Sequence, residues 1–335
     1  MLRGFFPLFY FKIYNIIKLS YIKEVENMIL CIGEILADLI GEKENGIMKY
    51  SRYPGGAPLN LAVGISKLNG DIGFIGNVGN DIIGNYLKEF ASSIRFNYLD
   101  VTLDNKHNTT LAFVDIDENG ERHFAFNRFN SADYQIEFNR LEVIKDADII
   151  HVGSLMLREK EGIELARYIY KKAKELNKKI SFDVNFRDDI YTSKEEAINI
   201  YLEFIKEADI LKFSEEEIEL FTNNKNVKEG LKTLVNEEQL VFVSLGSKGS
   251  YYQYKGESAT VETFKVKPVD TTGAGDAFYA CILAYLDKVD NRNKSTIIEI
   301  MKHANICGAL ACLKKGALSS LPTSEELKDR YNDLY

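Results

Sequence analysis

The sequence predicts an α/β fold with a central, mostly parallel sheet, helices on both of its faces and a small β lid. Three observations lead there. Short apolar runs rich in Ile, Val and Phe recur along the chain, and runs apolar at nearly every position mark strands buried on both faces. Amphipathic stretches of helical length lie between them, and strand–helix–strand order implies parallel crossovers. A single antiparallel hairpin interrupts the alternation early in the chain.

Taken in order, Ile29-Leu30-Cys31-Ile32-Gly33 reads as a buried opening strand. Phe74-Ile75-Gly76 is the next strand-like run. Leu111 to Ile116 and Arg122 to Phe126 flank Asp117-Glu118-Asn119-Gly120-Glu121, a hairpin with Asn-Gly turn chemistry, which is expected to form a flap over the large sheet. Asp148 to Val152, Ile180 to Asp183, Ile210 to Lys212 and Leu240 to Ser244 continue the strand series. Between them, Gly162 to Leu176 places Ile163, Ala166, Ile169, Tyr170 and Ala173 at helical spacing, and Lys194 to Ala208 is a second amphipathic helix. A further strand is expected to end at Val266-Lys267-Pro268, just before a glycine-rich turn and another helix.

Residues 1–27 differ from the rest. The run Phe5 to Phe11 with Lys12, Lys18 and Lys23 suggests a secretory signal, but Pro7 and Lys12 interrupt it and no small-x-small cleavage pattern follows. It also falls short of the ~20 residues that span a bilayer. With a second Met at position 28, residues 1–27 are expected to be an extension outside the fold, such as an upstream start would give, and residues 28–335 the folded unit. The alternative is a signal or membrane-surface helix.

The 335 residues, 45% hydrophobic and 27% charged, suit a globular protein with a sizeable core. Forty-two Lys and Arg against 50 Asp and Glu give a net charge of -8, which disfavours nucleic acid as a partner. A single nucleotide remains open, because backbone N–H groups and a metal can hold it. Cys31, Cys281, Cys307 and Cys312 lie in apolar stretches without Cys-x-x-Cys spacing, so buried free thiols in a reducing cytoplasm are expected in preference to a zinc site. The four histidines are scattered and mark no centre.

Two stretches carry chemistry. In Asp270-Thr271-Thr272-Gly273-Ala274-Gly275-Asp276 a turn without bulky side chains opens a helix, where unpaired N–H groups can hold a phosphate. Asp276 on the first turn could take the proton of an attacking alcohol, or could equally be a helix cap. In Tyr53-Pro54-Gly55-Gly56-Ala57-Pro58-Leu59-Asn60 the glycine pair allows close approach, and Asn60 is expected to have its amide free to bind hydroxyls; the bland reading is an ordinary loop before a helix. The Walker A pattern and the Gly-x-Gly-x-x-Gly fingerprint are both absent, which disfavours P-loop and dinucleotide-binding folds.

Together, these two stretches resemble the paired signatures of the PfkB (ribokinase) family of carbohydrate kinases, from about Met28 to Thr323. The resemblance implies a ribokinase-like fold with a lid from about 39–54 and 97–128, and transfer of the γ-phosphoryl group of ATP to a sugar hydroxyl with Mg2+ and, in many members, K+. Asp276 would be the base, with Gly273, Ala274 and Gly275 as the anion hole. The sugar would meet Asp38, Gly55, Gly56, Asn60, Arg128 and Arg187. Asn185, Lys212, Ser244, Gly246, Gly249 and Asn305 would serve the nucleotide, and Glu217 magnesium-bound water. Ser214 stands where the family pattern has Asn. Asp270 and Thr272, with the loop around Gly316 and Ser320, would form a monovalent-cation site.

Gly55-Gly56-Ala57-Pro58 with Asp38, and Arg128-Phe129-Asn130-Ser131-Ala132-Asp133, are most similar to fructokinases, although Phe129 and Asn130 depart from that run. Fructose is therefore the expected substrate. A 2-keto-3-deoxygluconate kinase or another sugar or nucleoside kinase is the alternative, and a catalytically silent sugar-binding protein the reading from another class. Sugar and ATP are the expected partners, with no nucleic acid and no membrane. Paired lids would allow a homodimer.

Overall fold

The structure is a computed structural model that describes residues 28–116 and 122–334; the segment 1–27 and the expected turn at 117–121 lie outside the described residues. In chain order, β1 (Ile29–Ile32), β2 (Leu36–Glu44) and β3 (Ile47–Gly55) lead into α1 (Ala57–Lys67), β4 (Ile72–Gly79), α2 (Ile82–Ser92) and β5 (Tyr98–Asp104). The hairpin strands are β6 (Leu111–Ile116) and β7 (Arg122–Asn127). Then come β8 (Ile149–Val152), α3 (Lys160–Glu175), β9 (Lys179–Asp183), α4 (Lys194–Glu207), β10 (Ile210–Ser214), α5 (Glu215–Thr222), α6 (Val227–Leu234) and β11 (Leu240–Ser244). The chain closes with β12 (Ser250–Tyr254), β13 (Glu257–Val261), α7 (Ala274–Leu286), α8 (Lys294–Ala311), the short α9 (Ala317–Ser320) and α10 (Ser324–Leu334).

Among the described residues the large sheet has the order β13-β12-β11-β10-β9-β8-β1-β4-β5. From β5 to β11 every pairing is parallel; β12 and β13 close the far edge antiparallel. Successive residues of β1 face opposite sides: Ile29 and Cys31 join the core under α1, α7 and α8, whereas Leu30 and Ile32 join the core under α3 and α4. That double burial is why the strand reads as a continuous apolar run. The carboxyl ends of the parallel strands share one edge, where loops of an α/β sheet collect ligands.

The small sheet has the order β3-β2-β6-β7. β2 and β3 are joined by Asn45-Gly46, with φ of 51° and 82°, the left-handed pair that a tight hairpin demands. Two expectations need correction. The segment from residue 97 does not belong to the small sheet: β5 pairs with β4 from Gly73↔Tyr98 onward, and its Leu99, Val101 and Leu103 pack on the large core, so the second part of the small sheet starts at Leu111. No strand ends at Pro268 either. Past β13 the chain is irregular, and the N–H groups of Val269 and Asp270 go to the carbonyl of Cys312 at the end of α8 instead of to a neighbouring strand.

Cys31, Cys281 and Cys307 are buried free thiols. Among the described residues no helix is long and apolar enough to cross a membrane.

At the end of α7, burial pushes the Asp287 carboxyl up to about 7, helped by the nearby charges of Asp148 and Asp71. The folded chain therefore holds a proton there that the unfolded chain loses near pH 4, and stability falls as pH rises through that window. Asp287→Asn is expected to raise the melting temperature at pH 8, by about 2–4 °C for each kcal/mol recovered, and to raise it by less at pH 5, where only the lower part of that window has been crossed. Thermal unfolding at the two pH values checks this.

Candidate active site

A cavity of about 1060 Å³ opens where the small sheet meets the carboxyl edge of the large one. Its wall includes Glu34, Asp38, Gly56, Asn60, Asn185, Arg187, Lys212, Asp270, Thr272, Gly273, Gly275 and Asp276. Segments far apart in sequence thus meet at one place, including both stretches that carry the motifs.

The glycine pair has a steric cause. A Cβ on Gly55 would lie 2.3 Å from Oδ2 of Asp38, and one on Gly56 would lie 2.5 Å from the carbonyl oxygen of Glu34. Gly56 also holds φ at 108°, where a side chain is strained. Gly55 makes room for the Asp38 carboxylate and Gly56 for the backbone of Glu34, both in the β1–β2 segment.

From the later part of the sequence, Gly273 starts α7 with φ 78° and no side-chain cap. A Cβ there would meet the backbone of Ala317 at 2.8 Å. The first-turn N–H groups have no helical partner. Ala274 spends its N–H on the carbonyl of Thr271, so that group of the expected turn is already engaged within the fold. Asp276 is three residues into the helix and does not cap it. Its Oδ2 accepts a 2.8 Å hydrogen bond from Nδ2 of Asn60. Contrary to the expectation from sequence, the Asn60 amide is not free: its nitrogen orients Asp276, and its Oδ1 is left buried without a partner. Burial raises the Asp276 carboxyl above its ordinary range, against the Asn60 hydrogen bond and the charges of Lys212 and Arg187.

Behind the turn, Lys212 of β10 reaches Asp183 of β9 at 3.0 Å, both side chains buried. Burial works against its charge, but Asp183, Glu217 and Asp276 together hold the ammonium above its ordinary range. A Cβ on Gly275 would sit 3.3 Å from Nζ of Lys212, so the cation lies directly under the side-chain-free turn. Such an arrangement suits a multiply charged phosphate. Glu217 forms a capping box with Ser214, its two oxygens accepting 2.7 Å bonds from the N–H groups of Phe186 and Ser214. Asp270 accepts from the N–H of Thr272 at 2.9 Å and of Gly316 at 2.8 Å, clipping the two loops together.

Other expected residues stand away from the cavity wall. Arg128 is buried in an ion pair with Asp133 and donates to the carbonyl of Leu155 at 3.1 Å. Asn305 gives its amide to the carbonyls of Val261 and Glu262, fastening α8 to the end of β13. Ser244, Gly246 and Gly249 form the loop after β11, with Gly249 at φ 100°. Sequence reasoning missed Glu34 and Asp183. Both carry the one signal available, an acidic residue at the end of a buried apolar strand, where an unpaired charge is costly.

Comparison with known proteins gives a consistent picture. The family model described as pfkB family carbohydrate kinase matches residues 26–324. A fructokinase of Vibrio alginolyticus is 34% identical over 303 residues, covering 90% of this chain and 98% of the relative. Fructokinase-1 of Zea mays is 36% identical, covering 90% and 96%. Among solved structures, the ATP-bound fructokinase of Xylella fastidiosa superposes with a TM-score of 0.82 at 27% identity, covering 92% of this chain and 99% of that one. A Vibrio cholerae fructokinase double mutant with fructose, ADP and potassium ion bound gives 0.79 at 32% identity, covering 91% and 98%. With its two motifs closing on one cavity and its whole fold shared with these relatives, the chain belongs to the pfkB family of carbohydrate kinases.

Proposed function

We propose that this chain transfers the γ-phosphoryl group of ATP to a hydroxyl of fructose. The observation that carries the reading is Asp276, raised above its ordinary range, oriented by Asn60 and set beside the turn whose free N–H groups lie over Lys212. In this reading Asp276 takes the hydroxyl proton as the sugar oxygen bonds to phosphorus and the bond to the bridging oxygen of ADP breaks. The N–H groups of Gly275 and Asp276, with Lys212, hold the charge of the transferring group. Asp38, Asn60 and Arg187, with Gly55 and Gly56 giving access, bind the sugar. Asn185, Lys212 and the loop of Ser244, Gly246 and Gly249 serve the nucleotide. Arg128 supports the sugar site from behind, and Asn305 the nucleotide side through α8. The fructose-bound neighbour and the fructokinase relatives support this sugar over a ketodeoxygluconate or a nucleoside.

Among the described residues no cluster of three or more His, Cys, Asp and Glu could hold a metal. Glu217, held by two backbone N–H groups, would orient magnesium-bound water, the metal itself being kept largely by water and phosphate oxygens. Magnesium, when bound, neutralises charge on the β- and γ-phosphates. Asp270 draws together the loops at Thr272 and Gly316, whose carbonyls would supply a potassium site. The small sheet acts as a lid over the sugar. Its edge strand β3 leaves Ile47, Met48, Tyr50 and Tyr53 exposed, which supports a homodimer through the lids. Free cysteines support a cytoplasmic location.

Turnover over a panel of sugars tests the reading: fructose is expected to be preferred, and turnover of only another sugar would overturn it. Asp276→Asn is expected to keep ATP and sugar binding while lowering kcat by about 10²–10⁴. Wild-type turnover in that variant would remove Asp276 from the chemistry. Light scattering is expected to show a dimer that Met48→Glu converts to monomers; an unchanged mass would place the interface elsewhere.

A further inference from the structure

Glu34 is used by none of the roles above, yet it is 2% exposed and lines the cavity. Its Oε2 has no hydrogen-bond partner. The side chain occupies a slot cleared by Gly153, just after β8, where a Cβ would lie 2.5 Å from Oε2; Gly56 makes room for the Glu34 backbone, a Cβ there lying 2.5 Å from its carbonyl oxygen. Leaving a buried carboxyl oxygen unmet costs free energy that a ligand hydroxyl would recover.

The slot also adjoins the root of the small sheet. The charged groups that act on Glu34 are Arg128, which follows β7, Asp133 in the next turn, and Asp276 on α7. Arg128 is paired with Asp133, yet its Nε is itself buried without a partner. Asp133 in turn accepts a 2.6 Å bond from the hydroxyl of Thr110, whose carbonyl accepts from the N–H of Ala37 at the start of β2. One buried polar cluster therefore joins the chain where it enters β2, where it enters β6 and where it leaves β7.

We propose that Oε2 of Glu34 accepts a hydrogen bond from one hydroxyl of the bound sugar and thereby ties that sugar to the root of the lid. The proposal rests on the sugar-kinase reading and adds a second acidic contact beside Asp38. A hydroxyl donor stabilises the carboxylate, and burial pushes this carboxyl up to about 7, so sugar binding should tighten as pH rises through neutrality.

The test is a cycle between Glu34→Gln and a series of sugars each lacking one hydroxyl, run with whichever panel sugar the wild type turns over, so that a wrong sugar and a wrong contact give different results. Glu34→Gln is expected to raise the sugar KM by about 10–100-fold, the range of a hydrogen bond to a charged group, with the KM for ATP within about twofold of wild type. The penalty for losing one particular hydroxyl should shrink in the variant while the other penalties stay. Equal penalties across the series in both proteins would overturn the contact and leave Glu34 as a structural partner of Arg128. Where Glu34→Gln does not fold, calorimetric binding of the same sugar to Asp276→Asn protein between pH 6 and 8 decides: affinity should rise with pH, and a flat or falling profile refutes the proposal.

Discussion

Three carboxyl groups taken largely out of water, those of Asp183, Glu217 and Asp276, share the buried ammonium of Lys212. Charges removed from water are tolerated only when paired or hydrogen-bonded, and removing one partner of a buried pair typically costs about 3–5 kcal/mol. Much of the site's order follows from that constraint. Glu217 accepts from two backbone N–H groups, Asp276 accepts from Asn60, and Asp183 is held by its ion pair with the lysine. The strand order places these groups together, because β9 and β10 are parallel neighbours whose carboxyl ends lie beneath the start of α7.

The lysine also explains why the turn above it carries glycine. Helix start and ammonium act on the same volume, one through N–H groups and the other through full charge, and a side chain at Gly275 would crowd the space between them. The turn thus offers N–H groups and one ammonium at a single point, so a net charge of -8 over the whole chain is compatible with a polyanionic substrate.

Most strands of the large sheet were legible because double burial writes itself as uninterrupted Ile, Val and Phe, as in Leu240 to Val243. The small sheet was harder: β3 is exposed along nearly its whole length and carries no apolar run, although Asn45-Gly46 announces its turn as plainly as an Asn-Gly pair can. A strand was expected to end at Pro268, but strandedness needs a neighbour, and the N–H groups that follow it, those of Val269 and Asp270, bond to the end of α8. In the site, local chemistry singled out Asp276 and its turn but left the residue open between base and helix cap, and only the resemblance of the paired motifs made it the base. The link from Asn60 to Asp276 spans 216 positions and left no local signature. Asn305 and Arg128 were assigned by resemblance to ligand roles, whereas burial gives them carbonyl and carboxylate partners within the fold.

The fit of Gly55 against Asp38 and of Gly56 against Glu34 makes two segments some twenty positions apart a single heritable unit. A side chain at position 55 would strike the Asp38 carboxylate and one at position 56 the backbone carbonyl of Glu34, so a larger residue at either glycine would displace the β1–β2 segment facing it. Grafting sugar preference between relatives of this chain therefore requires transplanting the β1–β2 segment and the β3–α1 segment as one cassette, since either half alone carries the key without its lock.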